Sequence, residues 1–477
     1  MRFLLSRLTS IAPLLPLLAG CATSLITPQS EQAWGAKMAQ QVERQVGLYR
    51  DDELQGYVQA VGRRLTESLG ESPYTFRFAI IDQPVPNAFA SPGGYVYISR
   101  GLLALINSEA ELAGVLAHEI SHVTERHHTR QIGRQLGAGL LTLPGKAVGI
   151  VSEDLGAAIN APIETAEAVF LSSYSRSQES EADAVGMRLA ARAGYDPAAL
   201  VSALDNLERA MEALTGHEHE VSFFDSHPAT PERIRAIEQV MASIEVRGRE
   251  PLATRLALLQ LLDGLWVGVQ NPQQGLFEGE TFRSVDLNLA FDFPDGWRTR
   301  NTPMYVAAEA PDAAGRAMLL TVPREEPIDD LADELLAAIR ERSGATPTER
   351  RSLSIGGWPA EMLRFTSDDG PSPSQMIYLF VETDRAKLMM VADATGETAS
   401  KAILDSAHSL RPLSDGERVA YRSERLRLYA ARPGESLREA TVASGSIWTA
   451  SYAAAANGIS ANGEPEQGNV LKLARRE

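Results

Sequence analysis

The stretch SEAELAGVLAHEISH, residues 108–122, contains the pattern H-E-x-x-H at His118, Glu119 and His122. Residues four apart on an α-helix point in nearly the same direction, so a helix here lets His118 and His122 hold one metal ion. Glu119 then lies beside the metal without binding it, where it can take a proton from an attacking water. The pattern therefore predicts metal-assisted hydrolysis. A chance match on an amphipathic helix is the alternative.

The residues before the pattern favour the helix that this geometry needs. Ser108 and Glu111 have the spacing of a capping box, the two-way hydrogen bonding that starts a helix. Apolar residues follow at helical spacing at Leu112, Val115, Leu116 and Ile120. We therefore predict a largely buried helix with aligned histidines.

A third ligand would complete a catalytic zinc site, which keeps its fourth position open. His128 has the spacing of a longer three-histidine pattern, but that pattern needs a glycine where this chain has Glu125. A continued helix would carry His128 to the opposite side of the axis. We therefore predict that His127 and His128 are surface residues.

A better source of the third ligand lies downstream, in the segment SRSQESEADAVG at residues 175–186. Glu179 and Asp183 are one helical turn apart there, so either fits the role of a ligand or of a supporting group. Periodicity alone does not choose Glu179 over Glu181 as the ligand, and a solvated acidic helix face is the alternative.

Four motifs together resemble the HtpX-like superfamily of gluzincin metallopeptidases, and most closely its soluble periplasmic BepA-like branch. They are NAFASPGGYVYISRGLL at 87–103, the H-E-x-x-H segment, SRSQESEAD at 175–183, and SHP at 226–228 with Thr230, Arg233 and Ile234. The resemblance covers roughly residues 30–245. The chain differs from the integral-membrane members of the superfamily, because no segment after the signal peptide fits a membrane span.

The resemblance implies one zinc ion per chain with the ligands His118, His122 and Glu179. It implies that Glu119 is the general base and that Asp183 is a catalytic helper or proton donor. It also implies that His227 can approach the metal and hold the enzyme in a resting, self-inhibited state.

The run Tyr95, Val96 and Tyr97 follows the turn Pro92-Gly93-Gly94 and favours a β-strand. We predict that it is an edge strand beside the zinc, where it can hold an extended substrate by main-chain hydrogen bonds. An ordinary buried hairpin is the alternative.

The first residues predict export. A positive start at Arg2 and Arg7, an apolar run and the sequence LAGC at 18–21 are typical of a bacterial lipoprotein signal peptide. Cys21 is the only cysteine, so we predict that it carries lipid and forms no intrachain disulfide. Ala22, not aspartate, follows it, and by resemblance to the sorting rules of bacterial lipoproteins this implies the outer membrane facing the periplasm. Signal cleavage before an incidental cysteine is the alternative.

No other segment fits a membrane span, because the nearest candidate, residues 134–151, contains Arg134, Pro144, Lys146 and several glycines. The apolar stretch 136–170 lies between the two predicted metal-binding helices and is either a lid over the site or a core helix pair. With 62 acidic and 45 basic residues the net charge is −17, which argues against a nucleic-acid partner.

Length and composition imply several domains of α+β class. The predicted order is a signal peptide (1–20), a lipid-anchored linker (21–30), a mainly helical zincin-type metallopeptidase domain with a small β-sheet (31–270), an α+β domain (280–415) and a LysM-like tail (424–475).

The predicted α+β domain has strand-like runs at 287–293, 318–322, 362–366, 376–381 and 387–391, with a helix at 331–342. Its segment FPDGW at 293–297 weakly resembles PsbP-like or Mog1-like domains. The tail has the pattern of a strand, a turn and a helix start at 427–437, followed by NGI at 457–459 and a closing strand at 470–473. This pattern resembles LysM modules, which implies peptidoglycan as a partner. A structural module without a ligand is the alternative. No tetratricopeptide repeats are present at the C-terminus, although the BepA-like branch often carries them.

Two functions remain open at this point. The first is a zinc endopeptidase that hydrolyses misfolded or unassembled envelope proteins in the periplasm. The second is a chaperone or assembly scaffold for such proteins, with its protease activity normally silenced by His227.

Overall fold

A computed structural model gives the fold of the chain. It describes residues 27–131, 174–214, 239–245, 248–367, 373–420, 423–460 and 469–477, with the single positions Phe223, His227, Arg233, Ile237, Gly463 and Pro465. The signal peptide, Cys21 and the stretch 136–170 lie outside the described residues, so their assignments stay predictions. Within the described part, no helix is long and apolar enough to cross a bilayer.

Two helices open the described chain and pack on the first domain. They are α1 (Pro28–Gln45) and α2 (Asp52–Thr66). The side chain of Thr27 accepts a hydrogen bond from the amide of Ser30, and Asp51 accepts one from Leu54. These caps satisfy amide groups that the first turn of a helix leaves without partners, so both helices start where their capping residues stand.

A small mixed sheet follows. Its strands are β1 (Arg77–Ile81), β2 (Ala88–Ser91) and β3 (Tyr95–Ser99). The strand order is β1-β3-β2, with β3 parallel to β1 and antiparallel to β2. The prediction that Tyr95, Val96 and Tyr97 form an edge strand is therefore wrong, because β1 pairs with the far side of β3. The edge strand on the other side is β2.

Four helices then form the predicted site region. They are α3 (Arg100–Leu105), α4 (Glu109–Thr124), α5 (Arg176–Arg192) and α6 (Ala198–Ala213). Helix α4 carries the H-E-x-x-H residues, and α5 carries the acidic segment. The two backbones are so close that a Cβ atom on Gly186 would lie 2.9 Å from the amide nitrogen of His118. Glycine at this position permits that approach, which brings the carboxylates of α5 to the histidines of α4.

The start of α4 agrees with the predicted cap in part. The hydroxyl of Ser108 accepts a hydrogen bond from the amide of Glu111 at 3.1 Å. The carboxylate of Glu111 does not return to Ser108; it accepts from the amide of Asn107 at 2.6 Å. Glu111 therefore fixes the turn between α3 and α4 instead of closing a capping box.

Helix α7 (Arg255–Leu262) follows the first domain and packs back onto it. Leu258 and Leu262 belong to the same hydrophobic core as α2, α4 and α6. Leu265 and Trp266 belong to this core as well, so the first domain reaches beyond α7, towards its predicted boundary at residue 270.

The second domain is built on a seven-stranded antiparallel sheet of order β10-β11-β12-β13-β9-β8-β7. Its elements in chain order are β4 (Leu276–Glu278), β5 (Thr281–Ser284), β6 (Leu289–Asp292), β7 (Arg298–Asn301), β8 (Tyr305–Glu309), β9 (Gly315–Val322), α8 (Ile328–Ser343), β10 (Glu349–Ile355), β11 (Trp358–Ser367), β12 (Ser374–Glu382), β13 (Lys387–Thr395), α9 (Glu397–His408) and α10 (Asp415–Ala420). Strands β4, β5 and β6 form a separate sheet. Helices α8 and α9 cover opposite faces of the large sheet, because Met389 packs with α8 and Met390 with α9.

The predicted strand runs of this domain are confirmed, and so is its helix, with longer bounds in most cases. No strand was predicted at β4, β5, β7, β8 or β10. Of these, β7 and β10 are the two edges of the large sheet. Both are rich in arginine and lack the apolar alternation of an inner strand. Charged side chains on an edge strand oppose pairing with other chains, so their composition suits their position.

The C-terminal residues form a β-α-α-β unit. Its elements are β14 (Glu424–Ala430), α11 (Leu437–Ala443), α12 (Ala450–Asn457) and β15 (Val470–Arg476), and the two strands pair antiparallel. Helix α12 packs on α6, and Tyr452, Ala455 and Ala456 belong to the core of the first domain. Arg209 of α6 donates a hydrogen bond to the carbonyl of Ile459 at 2.8 Å. The second domain is thus inserted between two parts of the chain that share one core.

A buried lysine joins the C-terminal unit to the start of α4. Lys472 is fully buried, and its Nζ donates to the carbonyl of Ile106 at 2.6 Å. Burial lowers the pKa of Lys472 to about 7, and the negative charge of Glu111 opposes that shift. Burial also raises the pKa of Glu111. The C-terminal unit therefore places a titratable group at the turn that leads into the H-E-x-x-H helix.

We expect Lys472→Met to flatten the pH dependence of stability above neutral pH. The pKa of Lys472 is lower in the folded than in the unfolded chain, so the unfolded chain binds more protons between about pH 7 and pH 10. The wild-type free energy of unfolding should therefore rise with pH across that window, and the variant should show less of the rise. Urea unfolding at several pH values measures this, with the exposed Lys401→Met as control. Equal slopes for all three proteins would contradict it.

Candidate metal centre

Three side chains from two helices, joined by one from a later segment, converge on a single point in the first domain. They are His118 and His122 of α4, Glu179 of α5, and His227. All four are buried, and each offers one ligand atom within 4.8 Å of the others. This is the only such group of His, Cys, Asp or Glu residues among the residues that the structure describes.

The distances between these ligand atoms fit a single zinc ion. His118 Nε2 lies 3.0 Å from His122 Nε2 and 3.3 Å from His227 Nδ1. His227 Nδ1 lies 3.0 Å from a carboxylate oxygen of Glu179. Tetrahedral zinc with bonds of about 2.0–2.1 Å needs ligand atoms roughly 3.3 Å apart. The donor set of nitrogen and oxygen atoms suits zinc as well.

The charges around the cluster fit a divalent cation. Three carboxylates, those of Glu119, Glu179 and Asp183, are buried there with one guanidinium, that of Arg233. With neutral histidines, two negative charges remain uncompensated, and such charges are costly to bury without a counter-ion. Burial would lower the pKa of His118, but Asp183 and Glu179 outweigh it and raise that pKa to about 10. The cluster therefore attracts positive charge.

Asp183 supports His118 from behind. Its Oδ1 lies 2.9 Å from His118 Nδ1, the ring nitrogen that points away from the ligand cluster. Arg233 holds both oxygens of Asp183 in a bidentate pair and also reaches Glu179 at 3.1 Å. A carboxylate behind a metal-binding imidazole fixes the orientation of the ring and its tautomer. Asp183 is one helical turn after Glu179, so the spacing in the sequence predicts that both carboxylates lie on the same face of α5.

Glu119 lies beside the cluster as the sequence predicts. It is fully buried, and neither carboxylate oxygen has a hydrogen-bond partner among the described residues. The ring of His227 is close to it, with Nε2 lying 3.6 Å from Glu119 Oε1. Burial raises the pKa of Glu119, and the positive charges of His227 and His118 oppose that shift. A buried carboxylate without a partner, next to a metal-ligand cluster, is able to accept a proton from water.

His122 has a different supporting group, one that the sequence analysis missed. Its Nδ1 lies 2.9 Å from Nδ1 of His127, and Nε2 of His127 lies 3.1 Å from the carboxylate of Glu181. His127 is fully buried, and His128 is partly buried against the edge strand. The prediction that both are surface residues is therefore wrong.

The reason is a sharp turn directly after α4. Arg126 has a φ of 54°, the left-handed region that residues other than glycine seldom adopt. This turn folds the chain back, so that His127 meets His122 instead of continuing round the helix. The turn is held by Glu31 of α1, which accepts a hydrogen bond from Arg126 Nε at 3.0 Å. No glycine marks the position, so the sequence pattern gave no signal of a turn.

His227 completes the cluster between α4 and α5, with contacts to His118 and Glu179. Its ring stacks on Phe223 with centroids 4.3 Å apart, and the amide of Phe223 donates to the carbonyl of Pro86 beside β2. Tyr174 stacks on His122 with centroids 3.9 Å apart. The rings of Phe223 and Tyr174 thus pack directly on two of the buried residues of the cluster.

Strand β2 is the edge strand of the small sheet that lies beside the ligand cluster. Ser99 donates to the carbonyl of Asn87, so the main-chain groups of Ala88 and Ala90 point away from β3. The carbonyl of Ala90 is contacted by His128 Nε2 at 2.6 Å, and the hydroxyl of Tyr174 lies equally close to that nitrogen. The sequence analysis placed the edge one strand too late, because β1 was not predicted.

The open choice between Glu179 and Glu181 has a structural answer. Glu179 is buried and joins the ligand cluster, whereas the carboxylate of Glu181 is 40 % exposed and contacts His127 and Arg130. The two residues are about 200° apart around α5, so only one of them can face α4.

The first domain also matches a known family. Residues 52–241 match the model described as Peptidase family M48. The beta-barrel assembly-enhancing protease of Yersinia pestis is 31 % identical over 205 residues, which cover 41 % of each protein. The putative beta-barrel assembly-enhancing protease of Vibrio cholerae is 36 % identical over 193 residues, which cover 39 % of each.

A eukaryotic protein is similar over the same region. The mitochondrial metalloendopeptidase OMA1 of Schizosaccharomyces pombe is 30 % identical over 219 residues, which cover 46 % of this chain and 61 % of that protein. The match to each of these three relatives thus covers less than two thirds of the relative. The similarity concerns the domain that holds the ligand cluster.

Proposed function

We propose that residues 52–241 form a zinc metallopeptidase domain of family M48 and that this chain is an endopeptidase for misfolded or unassembled cell-envelope proteins. The proposal rests on one observation above all, the convergence of His118, His122 and Glu179 on one point with Glu119 beside it. The bacterial relatives are beta-barrel assembly-enhancing proteases, which supports envelope β-barrel proteins as the substrate class.

In this proposal His118, His122 and Glu179 hold the zinc ion. A zinc ion bound there would polarise the scissile carbonyl and would lower the pKa of a water towards about 7. Glu119 takes a proton from the attacking water and returns it to the leaving amine. Its burial suits the first step, because a raised pKa makes the carboxylate a better proton acceptor than it is in water.

Asp183 has a supporting role in this account. Its oxygens are bound by His118 and Arg233, so it keeps the Nδ1 proton on His118 and leaves Nε2 free for the metal. We therefore assign proton return to Glu119, the carboxylate whose oxygens have no hydrogen-bond partner among the described residues.

An extended substrate fits along β2. The outward main-chain groups of Ala88 and Ala90 are those that an added strand would use. His128 contacts one of them, and Phe223 binds the nearby carbonyl of Pro86. Substrate entry therefore requires these side chains and His227 to move aside.

His227 accounts for a resting state. Its Nδ1 lies where it would be a fourth protein ligand. Four protein ligands are typical of closed, non-catalytic zinc sites. Substrate and water need that fourth ligand position, so the enzyme is active only when His227 leaves it.

We expect His227→Ala to cleave an unfolded β-barrel outer-membrane protein faster than wild type, by about tenfold if the open form is a minor state. Three ligands remain, so the variant should still contain one zinc ion per chain. His408→Ala, which changes an exposed histidine of the second domain, serves as the control. A zinc-loaded His227→Ala that is no faster than wild type would contradict the resting-state role.

The closed cluster also favours a second function, a chaperone or assembly scaffold whose protease is silenced by His227. A strain lacking the protein separates the two functions. Restoration of outer-membrane protein assembly by Glu119→Gln would favour the scaffold, because that variant keeps the ligands and the surface. Restoration by wild type alone would favour the peptidase.

We further propose that the protein is lipid-anchored through Cys21 in the outer membrane and that its LysM-like tail contacts peptidoglycan. The lipoprotein signal at 1–21 and the strand-helix-helix-strand order of the tail support these assignments. Loss of palmitate labelling in Cys21→Ala tests the anchor. Sedimentation of the periplasmic part with purified peptidoglycan tests the tail, and no co-sedimentation would remove that partner.

A further inference from the structure

His127 links a proposed zinc ligand to a surface carboxylate. Its Nδ1 lies 2.9 Å from Nδ1 of His122, and its Nε2 lies 3.1 Å from Oε2 of Glu181. Both contacts have hydrogen-bonding distances, and both use ring nitrogens whose roles depend on the tautomer. The ligand role of His122, which belongs to the proposed function, fixes those roles one after the other.

A His122 that binds metal through Nε2 carries its proton on Nδ1. Nδ1–H of His122 then donates to His127, whose Nδ1 must be the acceptor. A neutral His127 therefore carries its own proton on Nε2 and donates it to Glu181. The chain of hydrogen bonds from His122 through His127 to Glu181 has only this one consistent direction.

We propose that His127 is a positioning residue for the metal centre, which orients His122 by accepting its Nδ1–H while Glu181 orients His127. The role matches that of Asp183 at the other ligand histidine, where the carboxylate contacts His118 directly at 2.9 Å. Each ligand histidine is thus linked to a carboxylate through its Nδ1 atom. His118 contacts Asp183 directly, and His122 is linked to Glu181 through the imidazole of His127.

The surroundings of His127 indicate that its position is built into the fold. The positive φ of Arg126 is a conformation that most residues avoid, and Glu31 of α1 holds that turn through Arg126 Nε. The carbonyl of His127 accepts a hydrogen bond from the side chain of Gln178, one residue before Glu179. The ring is fully buried while Glu181 reaches solvent. Backbone and side chain of His127 are therefore both fixed by neighbours of the ligand cluster.

The test compares metal affinity among variants of the complete protein. His127→Phe keeps a ring but removes both nitrogens, whereas His127→Asn keeps an oxygen acceptor near the Nδ1 position. Glu181→Ala removes the outer carboxylate, and Glu208→Ala, an exposed glutamate on α6, is the matched control. The readouts are the zinc dissociation constant by chelator competition, the visible spectrum of the Co²⁺-substituted protein, and the thermal unfolding of the metal-free protein.

We expect His127→Phe to weaken zinc binding by about 10- to 100-fold and Glu181→Ala by about tenfold, as for other groups that orient metal ligands. The Co²⁺ bands of His127→Phe should shift, because the ring of His122 is no longer held. His127→Asn should bind zinc much more tightly than His127→Phe, and Glu208→Ala should equal wild type. A purely structural role would lower the unfolding temperature without this rescue or this spectral change.

The outcomes separate this inference from the proposed function. If wild type binds no zinc, the metal site itself is wrong. If wild type binds zinc stoichiometrically and His127→Phe and Glu181→Ala bind it equally well, only the role of His127 is overturned. Should His127→Phe fail to fold, Glu181→Ala still decides, because that side chain is partly exposed and its loss leaves the core unchanged.

Discussion

Glu119→Gln is expected to retain one zinc ion per chain and to lose peptidase activity, with kcat reduced by about 10³-fold. The amide has the shape of the carboxylate but cannot take a proton from water at neutral pH. The change should leave the metal in place, because Glu119 is outside the group of converging ligand atoms. The measurement pairs metal analysis with cleavage of an unfolded β-barrel protein.

The variant His227→Ala/Glu119→Gln sharpens that test. The single variant His227→Ala removes the side chain that closes the site, so any loss in the double variant cannot come from a tighter resting state. Glu125→Gln, at the end of the same helix and partly exposed, is the control for charge removal. Activity of Glu119→Gln within about tenfold of wild type would contradict the assignment of the base.

Ala456→Asp is expected to destabilise the first domain together with the C-terminal unit, by about 3 kcal/mol or more. Ala456 is fully buried and belongs to the core that α12 shares with the first domain. A carboxylate there would be buried without a partner. Calorimetry of the complete protein measures the effect, and the temperature at which zinc is released should fall with it.

Val442→Asp is the matched control for this prediction, since Val442 lies in the same unit and is 77 % exposed. It should unfold like wild type. A tail that was tethered freely, as an independent binding module would be, predicts instead that the first domain and its zinc are unaffected by Ala456→Asp. That result would contradict the shared core.

The ligand cluster was largely predictable because its residues lie on two regular helices. A spacing of four on α4 aligns His118 with His122, and the same spacing on α5 aligns Glu179 with Asp183. Periodicity does not tell how α5 is rotated about its own axis relative to α4. That rotation decides whether Glu179 or Glu181 faces the histidines. That rotation depends on the close contact at Gly186, a tertiary feature.

His127 was not predictable by the same means. Its position depends on the left-handed turn at Arg126, where the chain has no glycine, and on an ion pair with Glu31 in a helix 95 positions earlier. Such a turn is stabilised by distant contacts and leaves no local pattern. Reading the helix as continuous placed His127 and His128 at the surface.

The fold shows the same division between local and distant causes. The long apolar strands of the second domain, such as β12 and β13, were predicted, because alternation along the chain is a local signal. The short apolar strand β8 was not predicted. The charged edges β7 and β10 carry no such signal. The docking of α12 on α6 was not predicted either. The alanine run 453–456 has no side chains typical of a ligand-binding surface. It packs instead against the first domain and within the C-terminal unit.

The most direct test of the metal centre is the zinc content of the purified protein, measured by native mass spectrometry for wild type and for Glu179→Ala. We predict one zinc ion per wild-type chain and a large loss of zinc in the variant, because Glu179 is the proposed ligand from the second helix. A wild-type protein that binds no zinc, or a Glu179→Ala variant that holds it as tightly as wild type, would contradict the proposed site.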